Sequence, residues 1–355
     1  MMDREIRVLV IDDSAFMRKA IGNMLQSDPC IKVVGTARDG AEGLKMVLDL
    51  SPDAVTLDIE MPVMDGISTL RAIMEKKPTP VIMVSSLTTE GAKATLECLS
   101  IGAVDFIPKN LSDLSANIVK IKEELISKVR AIAGKRVRRT APPAVKPRDY
   151  APPREHADYA RPSVHGGVSI VAIGTSTGGP KALQEMMPHF PANFPVPILI
   201  VQHMPPVFTS SFAQKLNETC QIEVVEASEG EPLKSGKAFL APGGMHMKLK
   251  RVGHLDLGIR LDKDPGGHLH VPSVDVMMTS VAEFFPRRCL GVILTGMGCD
   301  GKEGMGLIKA SGGKTIAQDE GSCIVYGMPK AVAEAGLADK VVPLEYMAGE
   351  IINMI

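Results

Sequence analysis

Tryptophan is absent from the 355 residues and aromatic side chains make up only 4%. That scarcity removes the stacking platforms on which single-stranded nucleic acids are usually held. No apolar run approaches the roughly 18 residues of a membrane span. Met1-Met2-Asp3-Arg4-Glu5 leads straight into a strand-like stretch instead of the apolar core of a secretion signal. These absences predict a cytoplasmic chain without direct membrane insertion. The formal net charge of −1 leaves no excess of positive charge to draw nucleic acid or anionic lipid. The six cysteines (30, 98, 220, 289, 299 and 323) show no C-x-x-C spacing, which predicts free thiols and no thiolate metal site. Cys299 reads as a small filler, and the 21 methionines as core material.

What is present is length and a globular balance of 45% hydrophobic and 23% charged residues, enough for about two or three domains. One break in composition is clear. Residues 134–166 carry Lys135, Arg136, Arg138, Arg139, Lys146, Arg148, Arg154 and Arg161, with six prolines and three acids. No apolar period survives there, so the segment reads as a basic, proline-rich linker between a unit at 1–133 and another at 167–355.

Residues 1–133 alternate strand and helix signals. Strands are predicted at Ile6–Ile11, Ile31–Ala37, Ala54–Asp58, Pro80–Val84 and Val104–Ile107. Helical patterns lie at Ala15–Gln26 and Gly40–Leu50 and around 66–76, 90–100 and 111–132. The expected fold is a five-stranded parallel (βα)5 sheet of flavodoxin-like type, which binds ligands at the carboxyl ends of its strands. Polar residues gather at those ends: Asp12 and Asp13, Asp58, Ser85 and Ser86, and Lys109. Any one of these aspartates could be a turn residue or helix cap. Three converging carboxylates, however, repel unless a hard cation such as Mg²⁺ lies between them. With Lys109 to offset an incoming anion and Ser85 to bond it, the group predicts a site where Asp58 accepts a phosphoryl group.

The second unit repeats the strand-then-turn pattern at Ile170–Ile173, Pro197–Gln202, Lys237–Ala241, Gly291–Thr295 and Gly313–Ala317, which predicts a doubly wound, mostly parallel α/β domain. Its first strand breaks into Gly174-Thr175-Ser176-Thr177-Gly178-Gly179. Gly-x-Ser-x-Gly after a strand fits a nucleophile elbow. The same glycine-rich turn could bind a phosphate, but the dinucleotide fingerprint needs glycine where Ser176 stands. A serine hydroxyl needs a base. His203 follows Ile198-Leu199-Ile200-Val201-Gln202 directly; His246, several residues past its strand, competes with it. Asp300, after Leu294-Thr295-Gly296-Met297-Gly298-Cys299, is the candidate acid. The chain order Ser…His…Asp differs from that of the α/β-hydrolases.

Asp12-Asp13-Ser14, Asp58-Ile59-Glu60-Met61-Pro62 with Asp65-Gly66, and Lys109 resemble a two-component response-regulator receiver domain. The resemblance implies phosphorylation of Asp58, with Mg²⁺ held by Asp13, Asp58 and the backbone carbonyl of Glu60, Asp12 in support, and Phe106 as the aromatic switch residue. Asn110 follows Lys109 where that family usually has proline. The blocks at Gly174–Gly179, Gln202-His203-Met204-Pro205-Pro206, Ala241-Pro242-Gly243, Pro272-Ser273-Val274-Asp275 and Leu294–Gly301 resemble the chemotaxis protein-glutamate methylesterase family. Val271 stands where arginine is usual there, and Cys299 where asparagine is common. The resemblance implies hydrolysis of glutamyl methyl esters on methyl-accepting chemoreceptors, and in many members deamidation of receptor glutamines. In these expectations Ser176 is nucleophile, His203 base and then acid, and Asp300 the group orienting His203. The backbone N–H groups near Thr177 and Met297 are the oxyanion donors, and ester hydrolysis needs no cofactor. A chemotaxis histidine kinase would be the phosphodonor, and the unphosphorylated receiver would pack over the esterase cleft. A receiver with a nucleotide-binding, non-hydrolytic output is the alternative. A DNA-binding output is disfavoured because no helix-turn-helix pattern follows residue 166.

Overall fold

The computed structural model describes residues 5–109, 114–133, 167–252 and 256–355. The sequence-predicted linker at 134–166 and the departure at Asn110 lie outside the described residues.

The first unit runs β1 (Ile6–Ile11), α1 (Ala15–Gln26), β2 (Ile31–Ala37), α2 (Gly40–Leu50), β3 (Ala54–Asp58), α3 (Gly66–Lys76), β4 (Val81–Ser86), α4 (Thr89–Ile101), β5 (Asp105–Lys109) and α5 (Leu114–Ile132). Its five strands pair in parallel in the order β2-β1-β3-β4-β5. Every side chain of β3 is buried, as expected where helices cover both faces of a parallel sheet. Side chains set the helix starts: Ser14, Asp39, Asp65 and Thr88 each accept a backbone N–H of the first turn they cap.

The second unit continues with β6 (Ile170–Thr175), α6 (Gly179–Met186), β7 (Ile198–Gln202), α7 (Pro206–Thr219), β8 (Glu223–Glu226), β9 (Lys237–Leu240), β10 (His246–Val252), β11 (Asp256–Asp262), α8 (Val274–Phe284), β12 (Cys289–Ile293), α9 (Lys302–Ala310), β13 (Lys314–Gln318), α10 (Met328–Glu334), β14 (Lys340–Val342) and α11 (Leu344–Met354). Seven strands form a parallel sheet in the order β14-β13-β12-β6-β7-β9-β8. The expectation of a doubly wound, mostly parallel domain therefore holds. Four strands have no counterpart in the sequence expectation: β8, β14 and the antiparallel pair β10–β11.

Strand order places the sites. In each sheet the chain proceeds outward to one side and then returns past its starting strand to build the other. The crevice opens where the direction reverses, between β1 and β3 in the first sheet and between β6 and β12 in the second. Asp12, Asp13 and Asp58 lie at the first crevice, Ser176 and Asp300 at the second.

The two units pack together. Phe106 of β5 stacks on Phe208 of α7 with ring centroids 4.3 Å apart, and Ser100 of α4 donates its hydroxyl to the Gln184 amide oxygen at 3.1 Å. Ile121 and Leu125 of α5 share one apolar cluster with Met297, Ile324 and Val325 from the second unit. Phe208 is wholly buried, and replacing it leaves a void at this joint. The Phe208→Ala protein is expected to lose about 3–5 kcal/mol of stability, seen as a lower denaturation midpoint in guanidinium; an unchanged midpoint would contradict the packing described.

Candidate functional site

β6 is buried throughout and delivers the chain into a tight turn at 176–178. A Cβ on Gly174 would collide with Val274 at the start of α8, so only glycine lets that helix approach the strand end. Gly178 has φ +78°, a conformation that costs other residues, and lets α6 begin at once. Ser176 N–H donates to the Thr295 carbonyl at 3.1 Å, and Gly179 N–H to the Ser176 carbonyl at 2.8 Å. Two N–H groups that a phosphate cradle would need are thus already bonded, which weakens the nucleotide-binding alternative.

His203 brings Ser176 and Asp300 together. Its Nδ1 lies 3.1 Å from Ser176 Oγ and its Nε2 2.7 Å from Asp300 Oδ2. An ionised carboxylate only accepts, so Nε2 carries the proton and Nδ1 presents its lone pair to the serine hydroxyl. The ring is turned end for end relative to the usual serine-protease arrangement, in which Nε2 faces the serine. The order of functions is unchanged.

Asp300 is held from several sides. Oδ2 also accepts Val274 N–H at 2.7 Å, and Oδ1 accepts Asp275 N–H at 3.0 Å and the Ser273 hydroxyl at 2.9 Å. Burial alone would raise its pKa. The bond and charge of His203, with the N–H groups of Asp275 and Val274, outweigh that and hold the carboxyl well below the usual carboxylate range. Beside it, burial pushes Asp275 up to about 6, against the bond from Gly304 N–H and with the help of the Asp300 charge. The donors gathered on Asp300 make it the better-stabilised charge of the pair.

Further residues serve this group, and their roles are not evident in the sequence pattern. Gln202 donates from Nε2 to the carbonyls of Ser176 and His203, both at 3.0 Å, clamping one strand end to the other. His246, the competing base, is buried, and its Nδ1 accepts Ser273 N–H at 3.1 Å. It supports the segment under Asp300 and does not approach Ser176 through any hydrogen bond among the described residues. His270 stacks on His203. The block at 272–275 was a signal for this support, but nothing local tells which atom each residue would bond. Among the described residues, neither Thr177 nor Met297 donates its N–H to a backbone carbonyl.

In the first crevice, carboxylate oxygens of Asp12, Asp13 and Asp58 lie within 4.8 Å of one another. Lys109 Nζ is 2.7 Å from Asp58 Oδ2 and 3.1 Å from Asp12 Oδ2. Lys109 is thus the charged partner of both buried oxygens. Burial raises Asp58 to about 6 despite Lys109. One cation thus under-compensates three carboxylates, and the all-oxygen donor set fits Mg²⁺. Ser85 is brought to the edge of this group but is otherwise engaged: it accepts from the Thr95 hydroxyl at 2.7 Å and donates to the Gly91 carbonyl at 3.3 Å. Phe106 is buried, and its carbonyl accepts from Lys128 Nζ at 2.8 Å. Glu60 N–H donates to Asp58 Oδ1 at 3.3 Å.

No helix among the described residues is long and apolar enough to cross a membrane. Residues 171–351 match the CheB methylesterase family, and residues 8–119 match the response regulator receiver domain. The chain is 50% identical to protein-glutamate methylesterase/protein-glutamine glutaminase 2 of Nitratidesulfovibrio vulgaris, across 98% of this chain and 99% of that protein. It is 48% identical to the protein-glutamate methylesterase/protein-glutamine glutaminase of Pyrococcus abyssi, across 99% and 94%. Among solved structures, the Thermotoga maritima CheB methylesterase catalytic domain is 42% identical, with a TM-score of 0.52, covering 53% of this chain and all of that one. The chain therefore belongs to the CheB methylesterase family, with a response regulator receiver domain ahead of its methylesterase domain.

Proposed function

We propose that this protein hydrolyses glutamyl methyl esters on methyl-accepting chemoreceptors, with release of methanol, and deamidates receptor glutamines, under control of a phosphorylated receiver. The observation that carries this reading is the line Ser176 Oγ, His203, Asp300, with contacts of 3.1 and 2.7 Å. The relatives' activities support the substrate class. The proposed division is a receiver at 1–133, a linker at 134–166 and the catalytic domain at 167–355, in the cytoplasm.

Ser176 Oγ attacks the ester carbonyl while its proton passes to His203 Nδ1. Asp300 holds the Nε2–H and stabilises the imidazolium that forms. Charge develops on the carbonyl oxygen, where the N–H groups of Thr177 and Met297 would receive it. Nδ1–H then protonates the departing methoxide, leaving an acyl-enzyme. Water, deprotonated by the same Nδ1, releases the glutamate carboxylate and restores Ser176. With a glutamine substrate the leaving group is ammonia. The hydrolysis calls on no cofactor.

In the receiver, Asp58 accepts a phosphoryl group from a chemotaxis histidine kinase. Asp13, Asp58 and the Glu60 carbonyl would hold Mg²⁺, with Asp12 in support, and the ion would neutralise charge on the phosphoryl oxygens. Lys109 balances the added charge of about −1.5 to −2. Ser85, by turning from Gly91 toward the phosphoryl group, would shift β4 and α4, whose far side meets the catalytic unit. Phe106 is the switch aromatic through which that shift reaches Phe208. Tethering keeps the units at high effective concentration, so a weak interface suffices for inhibition.

Ser176→Ala is expected to reduce methanol release from methylated receptor membranes to background, and Asp300→Asn to lower kcat by about 10³- to 10⁴-fold. Near-wild-type rates in either folded variant would sink the triad. Removing residues 1–140 should raise basal release, and Asp58→Asn should abolish stimulation by a small phosphodonor with Mg²⁺. A truncated enzyme no faster than the intact one would argue against inhibition by covering.

A further inference from the structure

His203 is held along its edge by Ser176 and Asp300, and its face is covered as well. The His270 ring lies over it with centroids 4.0 Å apart and planes 19° from parallel. The segment that brings His270 there continues directly into Ser273, Val274 and Asp275, the three residues that bond Asp300. One stretch of six residues therefore fixes the carboxylate and covers the imidazole. None of these contacts requires His270 to exchange a proton with Ser176 or Asp300.

The groups acting on His270 are His203 and Asp300 in the site, with Glu124 and Lys128 of α5 on the receiver side. Burial, and then the neighbouring His203, hold its pKa down to about 4, so the ring is neutral at neutral pH. A neutral imidazole presents an electron-rich face. That face attracts a cation more than a neutral ring, and His203 becomes a cation only when it has taken the serine proton. The stack is thus stronger in the transition state than in the resting enzyme, the condition under which a contact raises kcat rather than affinity. A protonated His270 would reverse the effect by repulsion.

We propose that His270 is a positioning residue for the acyl-transfer reaction, holding the His203 ring in plane and favouring its cationic form through face-to-face stacking. This rests on the esterase reading above.

The test compares methanol release by the full-length protein with Ser176→Ala, His270→Ala, His270→Gln and His270→Phe, with folding checked by thermal melting. His270→Ala and His270→Gln should lower kcat by about 3- to 30-fold, with KM within about twofold of wild type. His270→Phe, which keeps a neutral aromatic face, should recover most of the loss. Wild-type kcat in folded His270→Ala, a loss confined to KM, or a Phe variant as slow as the Ala variant would each overturn the proposal. Release that persists in Ser176→Ala would overturn the esterase reading and this inference with it, and so marks a different failure. Should His270→Ala not fold, the Gln and Phe pair decides the matter alone.

Discussion

Much of the catalytic unit is organised around one partly buried negative charge. Asp300 leaves no oxygen unpartnered: His203 and Val274 bond one, Ser273 and Asp275 the other. A buried carboxylate without such partners would take up a proton. Here the donors hold it ionised. The fixed charge selects the tautomer of His203, and the tautomer leaves Nδ1 free to accept the serine proton. Gly174 is glycine because α8, whose first N–H groups serve Asp300, must lie against the end of β6. The sheet order, the helix start and the chemistry thus converge on a single side chain.

The receiver solves a similar problem with the opposite balance. Three carboxylates meet one lysine, and burial raises the Asp58 carboxyl despite that lysine. Such a donor set suits the Mg²⁺ proposed above. Both crevices lie where strand order reverses. What connects them is the joint made by Phe106 on Phe208 and by α5 against the Met297 and Ile324–Val325 cluster. Met297 belongs to both the joint and the proposed oxyanion site.

Much of this was legible in the sequence, for physical reasons. Strands buried on both faces read as unbroken apolar runs, and β1, β3 and β7 stand close to where those runs lie. Ser176, His203 and Asp300 each follow such a run, so their convergence could be expected once a parallel sheet was assumed. Four strands escaped. β8 and β14 are short, β8 beginning and ending on glutamate and β14 beginning on lysine, and β10–β11 mixes lysine and arginine into its alternation. His246 and His203 could not be separated locally, because only the pairing of Ser273 N–H with His246 gives His246 its own task. The stack of His270 on His203 and the clamp by Gln202 depend on geometry between distant strand ends, which no local pattern encodes. Ser85 is expected at the phosphoryl site from its strand end, whereas its bonds to Gly91 and Thr95 have no signal in the sequence.

If the docked receiver limits access to a nucleophile prepared by Asp300 and His203, as proposed, the rate at which a fluorophosphonate labels the intact protein reports it, with the labelled residue identified by peptide mapping. Slow labelling at Ser176 alone is expected, accelerated when a small phosphodonor and Mg²⁺ are added. Labelling at another residue, or at Ser176 with a rate indifferent to the phosphodonor, would contradict it.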